Sequence, residues 1–186
     1  MEKSLLRKRF LEIRSSLSPT EKSSLSLRIK QNLFGSEEFK SANSMLCYAS
    51  FGSEVETRLI IKEILAKKRC FLPKVSGNEL KIFLIHSLSE LIPGYCGILE
   101  PNAETETELK EIELIIVPGL VFSKDGGRIG YGRGFYDRLL GRTRSIKIGL
   151  CFSCQLTEEI PMNQQDQKVD RIVTEDEVIY CRDNYT

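Results

Sequence analysis

The residue types best suited to chemistry cluster in a glycine-rich stretch at positions 118–140. After a Gly-Gly pair at 126 and 127, glycine recurs at the alternate positions 130, 132 and 134. Glycine lets the backbone approach an anion closely, and N–H groups at a helix start complement phosphate. Arg128, Arg133 and Arg138 add cations whose forked geometry suits phosphate oxygens. Asp137 follows the glycines, where a Mg²⁺ ligand would be useful.

Two well-known phosphate-binding motifs do not fit this stretch. No Gly-Lys-Ser/Thr follows the glycines, so it is not a Walker A loop. The alternate spacing also differs from the dinucleotide-binding fingerprint. Spacing alone favours a phosphate site, and a flexible surface turn with scattered charges remains the alternative.

The elements around this stretch predict an α/β domain. Apolar residues spaced four, three and four apart indicate an amphipathic helix over residues 3–17. A second helix begins with Ser18 as cap, Pro19 at its first position and Glu21 completing a capping box. Further on, the pattern alternates between buried strands and helices, the strands falling at 45–50, 70–75, 80–85, 112–117, 145–152, 171–174 and 178–180 and the helices near 60–65 and 135–140.

We therefore predict a single three-layer α/β/α domain over residues 1–186, with a mostly parallel, Rossmann-like sheet. The Glu-rich segment 99–111 is expected to be an exposed connection.

Composition restricts the partners that this chain can have. Lys and Arg number 27 against 26 Asp and Glu, a balance that argues against a dedicated nucleic-acid binder. No apolar run is long enough to span a bilayer, and the start lacks the apolar stretch of a signal peptide. We predict a cytoplasmic protein, a monomer, whose six cysteines are reduced thiols.

The order of motifs along nearly the whole chain resembles one enzyme family. The central match joins residues 115–119, Ile-Ile-Val-Pro-Gly, to residues 128–138, Arg-Ile-Gly-Tyr-Gly-Arg-Gly-Phe-Tyr-Asp-Arg. Other pieces occur in the expected order: Lys3 and Arg7, then 54–57, 73–74, 97–101, Gln155, 160–161, Asp166, Asp170 and 174–175. This pattern resembles the 5-formyltetrahydrofolate cyclo-ligases. Phe135 stands where many members have tyrosine.

The resemblance implies ATP as co-substrate, Mg²⁺ as metal and 5-formyltetrahydrofolate as the second substrate. The residues implied for ATP are Lys3, Arg7, Arg128, Ile129, Gly130, Tyr131, Gly132, Arg133, Gly134, Phe135 and Tyr136. Those implied for folate are Ala49, Glu54, Tyr131, Gly132, Arg133, Gly134 and Phe135. Arg128, Arg133 and Tyr136 would be catalytic, and Asp137 and Asp166 would hold Mg²⁺ directly or through water.

Each implied role has a plainer alternative in the residues themselves. Lys3 and Arg7, one turn apart on a helix, could be ordinary surface charge. Asp166 could be a solvated loop carboxylate. Glu54, a suitable acceptor for the donor-rich edge of a pterin ring, could instead be a helix-start charge.

Two other classes of protein remain possible from the residues alone. One is an α/β enzyme for a phosphorylated sugar, and the other is a binding module that senses a nucleotide without turnover. His86 and the Cys151/Cys154 pair lack the partners that would make them catalytic or zinc-binding residues.

Overall fold

The computed structural model describes residues 2–181, so Met1 and residues 182–186 of the predicted 1–186 domain lie outside the description. The helices are α1 (Lys3–Ser15), α2 (Pro19–Gly35), α3 (Glu37–Ser41), α4 (Arg58–Lys67) and α5 (Phe135–Leu140). The strands are β1 (Ser44–Leu46), β2 (Arg69–Ser76), β3 (Glu79–Ile85), β4 (Leu91–Pro93), β5 (Leu99–Pro101), β6 (Leu114–Val117), β7 (Val121–Ser123), β8 (Arg128–Ile129), β9 (Ile146–Leu150), β10 (Leu156–Thr157), β11 (Arg171–Val173) and β12 (Val178–Tyr180).

The main sheet has seven strands in the order β12-β11-β9-β6-β1-β2-β3. All pairings from β11 through β2 are parallel, and only the edge strands β12 and β3 run antiparallel to their neighbours. The predicted α/β fold with a mostly parallel sheet is thus confirmed. Because parallel strands share a direction, the segments after β1 and β6 emerge at the same edge of the sheet.

Strand β6 shows how the layers form. Its four residues are all buried, yet they alternate between the two faces of the sheet. Leu114 and Ile116 pack in one cluster with residues of α2 and α4, whereas Ile115 and Val117 pack in a second cluster with residues of α5. Helices therefore cover both faces. No helix within residues 2–181 is long and apolar enough to cross a membrane.

A smaller sheet in the order β10-β7-β8 supports the glycine-rich stretch. The part of this stretch before the helix expected near 135–140 was expected to be a loop, but β7 and β8 form an antiparallel hairpin within it. Helix α1 packs against this small sheet through Leu6 and Phe10, which join Val121 and Ile129 in a third apolar cluster. The N-terminal helix is therefore attached to the same segment that carries the alternate glycines.

Two sequence expectations need correction. The strand expected over 45–50 ends at Leu46, because the Thr57 hydroxyl donates to the Tyr48 carbonyl at 2.6 Å and binds that backbone into a local turn. The segment 99–111 is not simply an exposed connection. It begins with β5, which pairs with β4, and its Glu100 is only 6% exposed.

Candidate active site

A cavity of about 980 Å³ lies where the segments after β1 and β6 leave the sheet. Its walls include every residue predicted for the site: Lys3, Arg7, Ala49, Glu54, Arg128, Ile129, Gly130, Tyr131, Gly132, Arg133, Gly134, Phe135, Tyr136, Asp137 and Asp166. Single-ligand sites usually measure roughly 300–1,000 Å³, so this cavity is at the upper end of that range.

Arg128 is the most deeply buried cation of the cavity wall, with 4% of its surface exposed. Its Nη2 donates to Asp137 Oδ1 at 2.7 Å, and its Nη1 donates to the Pro118 carbonyl at 3.4 Å. The remaining guanidinium nitrogen, Nε, is buried without a hydrogen-bond partner among residues 2–181. Because an unmet buried donor is costly, Arg128 is suited to receive an anionic oxygen. Burial also lowers the pKa of this guanidinium, against the raising effect of Asp137.

Helix α1 contributes two further cations to the same wall. Lys3 forms an ion pair with Asp166, and Arg7 Nε donates to the Gly130 carbonyl at 3.0 Å. Although partial burial raises it, hydrogen bonds from Lys3 and the Asn163 N–H bring the net pKa of Asp166 below its ordinary value. Lys3 and Arg7 are thus neither free surface charges nor remote from the loop.

The loop between β8 and α5 depends on glycine at two positions. Gly132 has φ +95° and Gly134 has φ +67°, conformations that residues with a Cβ rarely adopt. A Cβ on Gly132 would also lie 3.4 Å from Arg7 Cζ. Arg133 lies between these glycines, and its exposed side chain makes no ion pair with any other described residue. Ile129 differs from its neighbours because its side chain is buried against α1.

Glu54 lies in the segment that follows β1 and is 8% exposed. Its Oε2 accepts the Phe51 N–H at 2.9 Å, and Thr57 braces the same segment through the Ser50 N–H at 3.0 Å. Burial raises the pKa of Glu54 above its ordinary value, against the lowering effects of the Phe51 hydrogen bond and the nearby Arg14 charge. The result is a fixed, largely desolvated acceptor in the cavity wall.

Aromatic residues connect the acidic and cationic parts of the wall. Tyr136 lies with its ring 5.9 Å from Arg128 Cζ, and its phenol is close enough to feel the charge of Glu54. Burial raises the pKa of Tyr136, so the phenol keeps its proton at neutral pH. Phe135 makes an edge contact at 6.0 Å with Tyr95, which belongs to the connection between β4 and β5. These rings offer planar apolar surface beside charged groups.

The profile of the 5-formyltetrahydrofolate cyclo-ligase family matches residues 1–175. The chain belongs to this family. It is 30% identical to the 5-formyltetrahydrofolate cyclo-ligase of Mus musculus over 176 residues, covering 86% of this chain and 87% of that protein.

Two solved structures support the assignment to the cyclo-ligase family. The 5,10-methenyltetrahydrofolate synthetase of Aquifex aeolicus superposes with a TM-score of 0.90 at 38% identity, covering 100% of this chain and 96% of that one. The synthetase of Mycoplasma pneumoniae gives a TM-score of 0.77 at 25% identity, covering 94% and 99%. Family membership makes the chain a cyclo-ligase enzyme and rules out the sugar-phosphate and sensor alternatives.

Two residues at or behind the wall of this cyclo-ligase cavity were given no site role from sequence, although one of them, Glu100, belongs to the 97–101 piece of the resemblance. Glu100 lines the cavity and accepts the Val75 N–H at 3.1 Å through Oε1, but it sits in a Glu-rich segment that suggested solvent exposure. Arg14 is 2% exposed. A signal for it existed, since Arg14 follows Phe10 by four residues and so falls on the apolar stripe of α1.

Gln155, which belongs to the motif pattern that resembles the family, holds the backbone next to the cavity. It is 1% exposed, and its Nε2 donates to the Gly119 and Leu120 carbonyls at 3.1 and 3.0 Å. Its Oε1 accepts the Phe152 N–H at 3.0 Å. These bonds hold the backbone that follows β6, from which the glycine-rich stretch begins.

Proposed function

We propose that the chain uses ATP and Mg²⁺ to convert 5-formyltetrahydrofolate into 5,10-methenyltetrahydrofolate, by phosphorylating the formyl oxygen. The conversion itself is that of the family. We place phosphorylation before ring closure, because a formamide carbon is a poor electrophile until its oxygen becomes part of a leaving group. We further propose that the enzyme acts as a cytoplasmic monomer on these small molecules and binds no nucleic acid.

One observation carries this proposal: a single cavity wall contains both a cationic phosphate-type site and a buried acceptor for a heterocycle. Arg128 with its unmet Nε, Lys3 and Arg7 form the first group. Glu54 among aromatic residues forms the second group. Phosphoryl transfer between two bound substrates requires mainly positioning and charge stabilisation, which such an arrangement supplies.

The proposed steps balance as follows. The formyl oxygen attacks the γ-phosphorus, the bond from that phosphorus to the ADP oxygen breaks, and ADP leaves. The N10 lone pair then attacks the formyl carbon, the carbon–oxygen bond breaks, inorganic phosphate departs and N10 loses its proton. Arg128 and Arg133 would stabilise charge on the transferred group, and Tyr136 would place its protonated phenol between phosphate and folate.

The residues present fit a Mg²⁺ ion that is shared with nucleotide phosphates. Mg²⁺ commonly takes one or two carboxylates and completes its shell with water and phosphate. Asp137 and Asp166 both line the cavity, and both lie close enough to Arg128 to affect its pKa. Within residues 2–181, no group of three or more His, Cys, Asp or Glu side chains is arranged so that it could hold a metal ion, and the proposed site therefore depends on phosphate oxygens and water as further ligands. When bound there, Mg²⁺ would neutralise phosphate charge.

An isotope experiment tests the reaction order. Substrate labelled with ¹⁸O in the formyl group should yield one labelled phosphate for each methenyl product, because ring closure uses N10 and no water. The product is followed by its absorbance and the phosphate by mass spectrometry. Label found in water, with methenyl product still formed, would indicate dehydration without phosphorylation. Absence of ATP consumption in the presence of the folate would contradict the proposed activity itself.

A further inference from the structure

Arg14 is a buried cation that lies behind the cavity wall. It is 2% exposed, and it is not among the residues that line the cavity. Its Nε donates to Ser53 Oγ at 3.0 Å, its Nη1 to the Gly119 carbonyl at 3.2 Å, and its Nη2 to the Tyr131 hydroxyl. It forms no ion pair with any of residues 2–181.

These three acceptors come from three separate segments that meet at the cavity. Ser53 belongs to the turn that carries Glu54, Gly119 follows β6, and Tyr131 lies in the loop between β8 and α5. A desolvated cation without an ion pair is unfavourable unless its donors are satisfied. Arg14 satisfies its donors only when all three segments are in place, so it fixes their relative positions.

Three of the four titratable groups near Glu54 are tyrosines, and the fourth is Arg14. The titratable groups that face it are Tyr131 from the glycine-rich loop, Tyr48 after β1, Tyr136 of α5 and Arg14 of α1. The three phenols are neutral at physiological pH, because a phenol ordinarily titrates near pH 10 and the pKa of each is raised further, mainly by desolvation. Among residues 2–181, Arg14 is therefore the cation that favours the ionised form of Glu54.

We propose that Arg14 is a positioning residue for folate, holding the Tyr131 hydroxyl against Glu54 so that Glu54 presents an ionised acceptor to the substrate. This inference rests on the proposed function, since it assumes that Glu54 and Tyr131 contact the folate. An ionised carboxylate only accepts hydrogen bonds, which matches the donor-rich edge of a pterin.

The position of Arg14 on α1 separates its effect from that of the other two cations on this helix. Lys3, Arg7 and Arg14 fall on one helical face, and Arg14 is roughly 16 Å from Lys3 along the axis at 1.5 Å per residue. Lys3 and Arg7 contact Asp166 and Gly130, whereas Arg14 contacts the turn of Glu54. Loss of Arg14 should therefore weaken folate binding more than ATP binding.

Two substitutions at position 14 separate charge from geometry. Arg14→Gln should raise the KM for folate about tenfold, the effect of losing a charge-assisted hydrogen bond, and keep the KM for ATP within about twofold. It should also move the acidic limb of the pH profile of folate kcat/KM to higher pH, because Glu54 loses its stabilising cation. Arg14→Lys keeps the positive charge, so the acidic limb should return to its wild-type position, whereas the folate KM should stay raised because lysine cannot make the three hydrogen bonds of Arg14. Arg9→Lys, on the exposed side of α1, is the matched control and should change neither.

Two further variants keep the test decisive if Arg14→Gln does not fold. Ser53→Ala removes one partner of Arg14 outside the cavity and should raise the folate KM about two- to fivefold. In a double-substitution cycle, Tyr131→Phe and Arg14→Lys should be non-additive, because Arg14 acts through the Tyr131 hydroxyl.

The proposal is overturned if folate and ATP KM values rise together with no shift of the pH limb, or if both position-14 variants leave the folate KM within about twofold. The wild-type enzyme in the same assay reports separately on the proposed function, because a wild type that forms no methenyl product would contradict that function rather than the role of Arg14.

Discussion

Glu54 shows how one carboxylate can serve binding at the expense of stability. It is 8% exposed, and burial raises its pKa. In the folded chain the proton is held more tightly than in the unfolded chain. The free energy of unfolding therefore falls as pH rises from the unfolded-state pKa through the raised folded-state pKa. Above that window the enzyme carries a buried charge, which the Phe51 N–H, the Arg14 charge and the Tyr131 hydroxyl partly compensate.

We predict that Glu54→Gln stabilises the protein at pH 8 relative to wild type and weakens folate binding. The amide oxygen can still accept the Phe51 N–H, whereas the desolvated charge is gone. Thermal unfolding at pH 4 and pH 8 would measure this, with the stability difference between variant and wild type growing as pH rises. A variant that is destabilised equally at both pH values would show that the ionised carboxylate of Glu54 does not destabilise the folded protein.

Asp137 is a second carboxylate whose charge could have either of two roles. It pairs with Arg128 in the structure, and it is a proposed ligand of Mg²⁺. We predict that Asp137→Asn lowers kcat roughly 10²-fold at saturating Mg²⁺, the magnitude of losing a major electrostatic contact. The Mg²⁺ concentration needed for half-maximal rate should rise as well. Asp176→Asn, an exposed carboxylate paired with Arg28, is the control and should behave as wild type.

Near-normal turnover by Asp137→Asn would remove this residue from the metal site. A fall in kcat with an unchanged Mg²⁺ requirement would assign Asp137 to holding Arg128, its partner at 2.7 Å.

Helix α1 is the element that brings the most charge to the cavity. Its apolar stripe packs on the small sheet, and this packing places Lys3 and Arg7 at the cavity wall. In the protein without ligand, both cations already have partners, Asp166 and the Gly130 carbonyl. Phosphate binding would therefore exchange these contacts for new ones. The net contribution of Lys3 and Arg7 to the binding free energy of ATP is then smaller than that of two cations without partners.

We predict that Lys3→Ala combined with Arg7→Ala raises the KM for ATP at least tenfold and the KM for folate far less. Each charge-assisted hydrogen bond is worth roughly 1.5–3 kcal/mol before the exchange is subtracted. Steady-state kinetics with each substrate varied in turn measures the two KM values. The control is Lys8→Ala with Arg9→Ala, which removes two exposed cations from the same helix. An unchanged KM for ATP would mean that α1 is only structural at its first two turns.

The helices and strands that could be predicted are those with a strong pattern in their own residues. The capping box of α2 forms as expected, with the Ser18 N–H donating to Glu21 at 2.9 Å, because its parts lie three residues apart. Strands β2, β3 and β6 were visible as apolar runs. The two-residue strands β8 and β10 were not, because pairing so short depends on neighbours distant in sequence.

The candidate site was predictable where motifs were contiguous, and not where the fold joins distant segments. The residues of the glycine-rich loop could be named because they follow one another. The ion pair between Lys3 and Asp166 spans nearly the whole chain, and the contacts of Arg14 to three segments leave no local pattern. Their roles in binding remain predictions.

At the scale of the whole molecule, the two main clusters share one sheet. Adjacent residues of β6 belong to opposite clusters, so neither cluster can lose its packing without exposing the other face of the same strand. The small sheet joins this body through α1 and through Gln155, whose side chain holds the chain after β6. We therefore expect the domain to unfold as one unit, the site included.

This expectation has a direct test, because the chain contains no tryptophan and six tyrosines, several of them at the cavity. Near-ultraviolet circular dichroism follows the tyrosines, whereas the far-ultraviolet signal follows the helices. We predict coincident thermal transitions from both signals. MgATP at about 100 times its Kd should add about 2.7 kcal/mol to the free energy of unfolding. At roughly 2–4 °C per kcal/mol for a domain of this size, both midpoints should rise by about 5–10 °C together. If the tyrosine signal were lost first and MgATP delayed only that step, α1 and the small sheet would form a separate unit, and ATP would stabilise that unit alone.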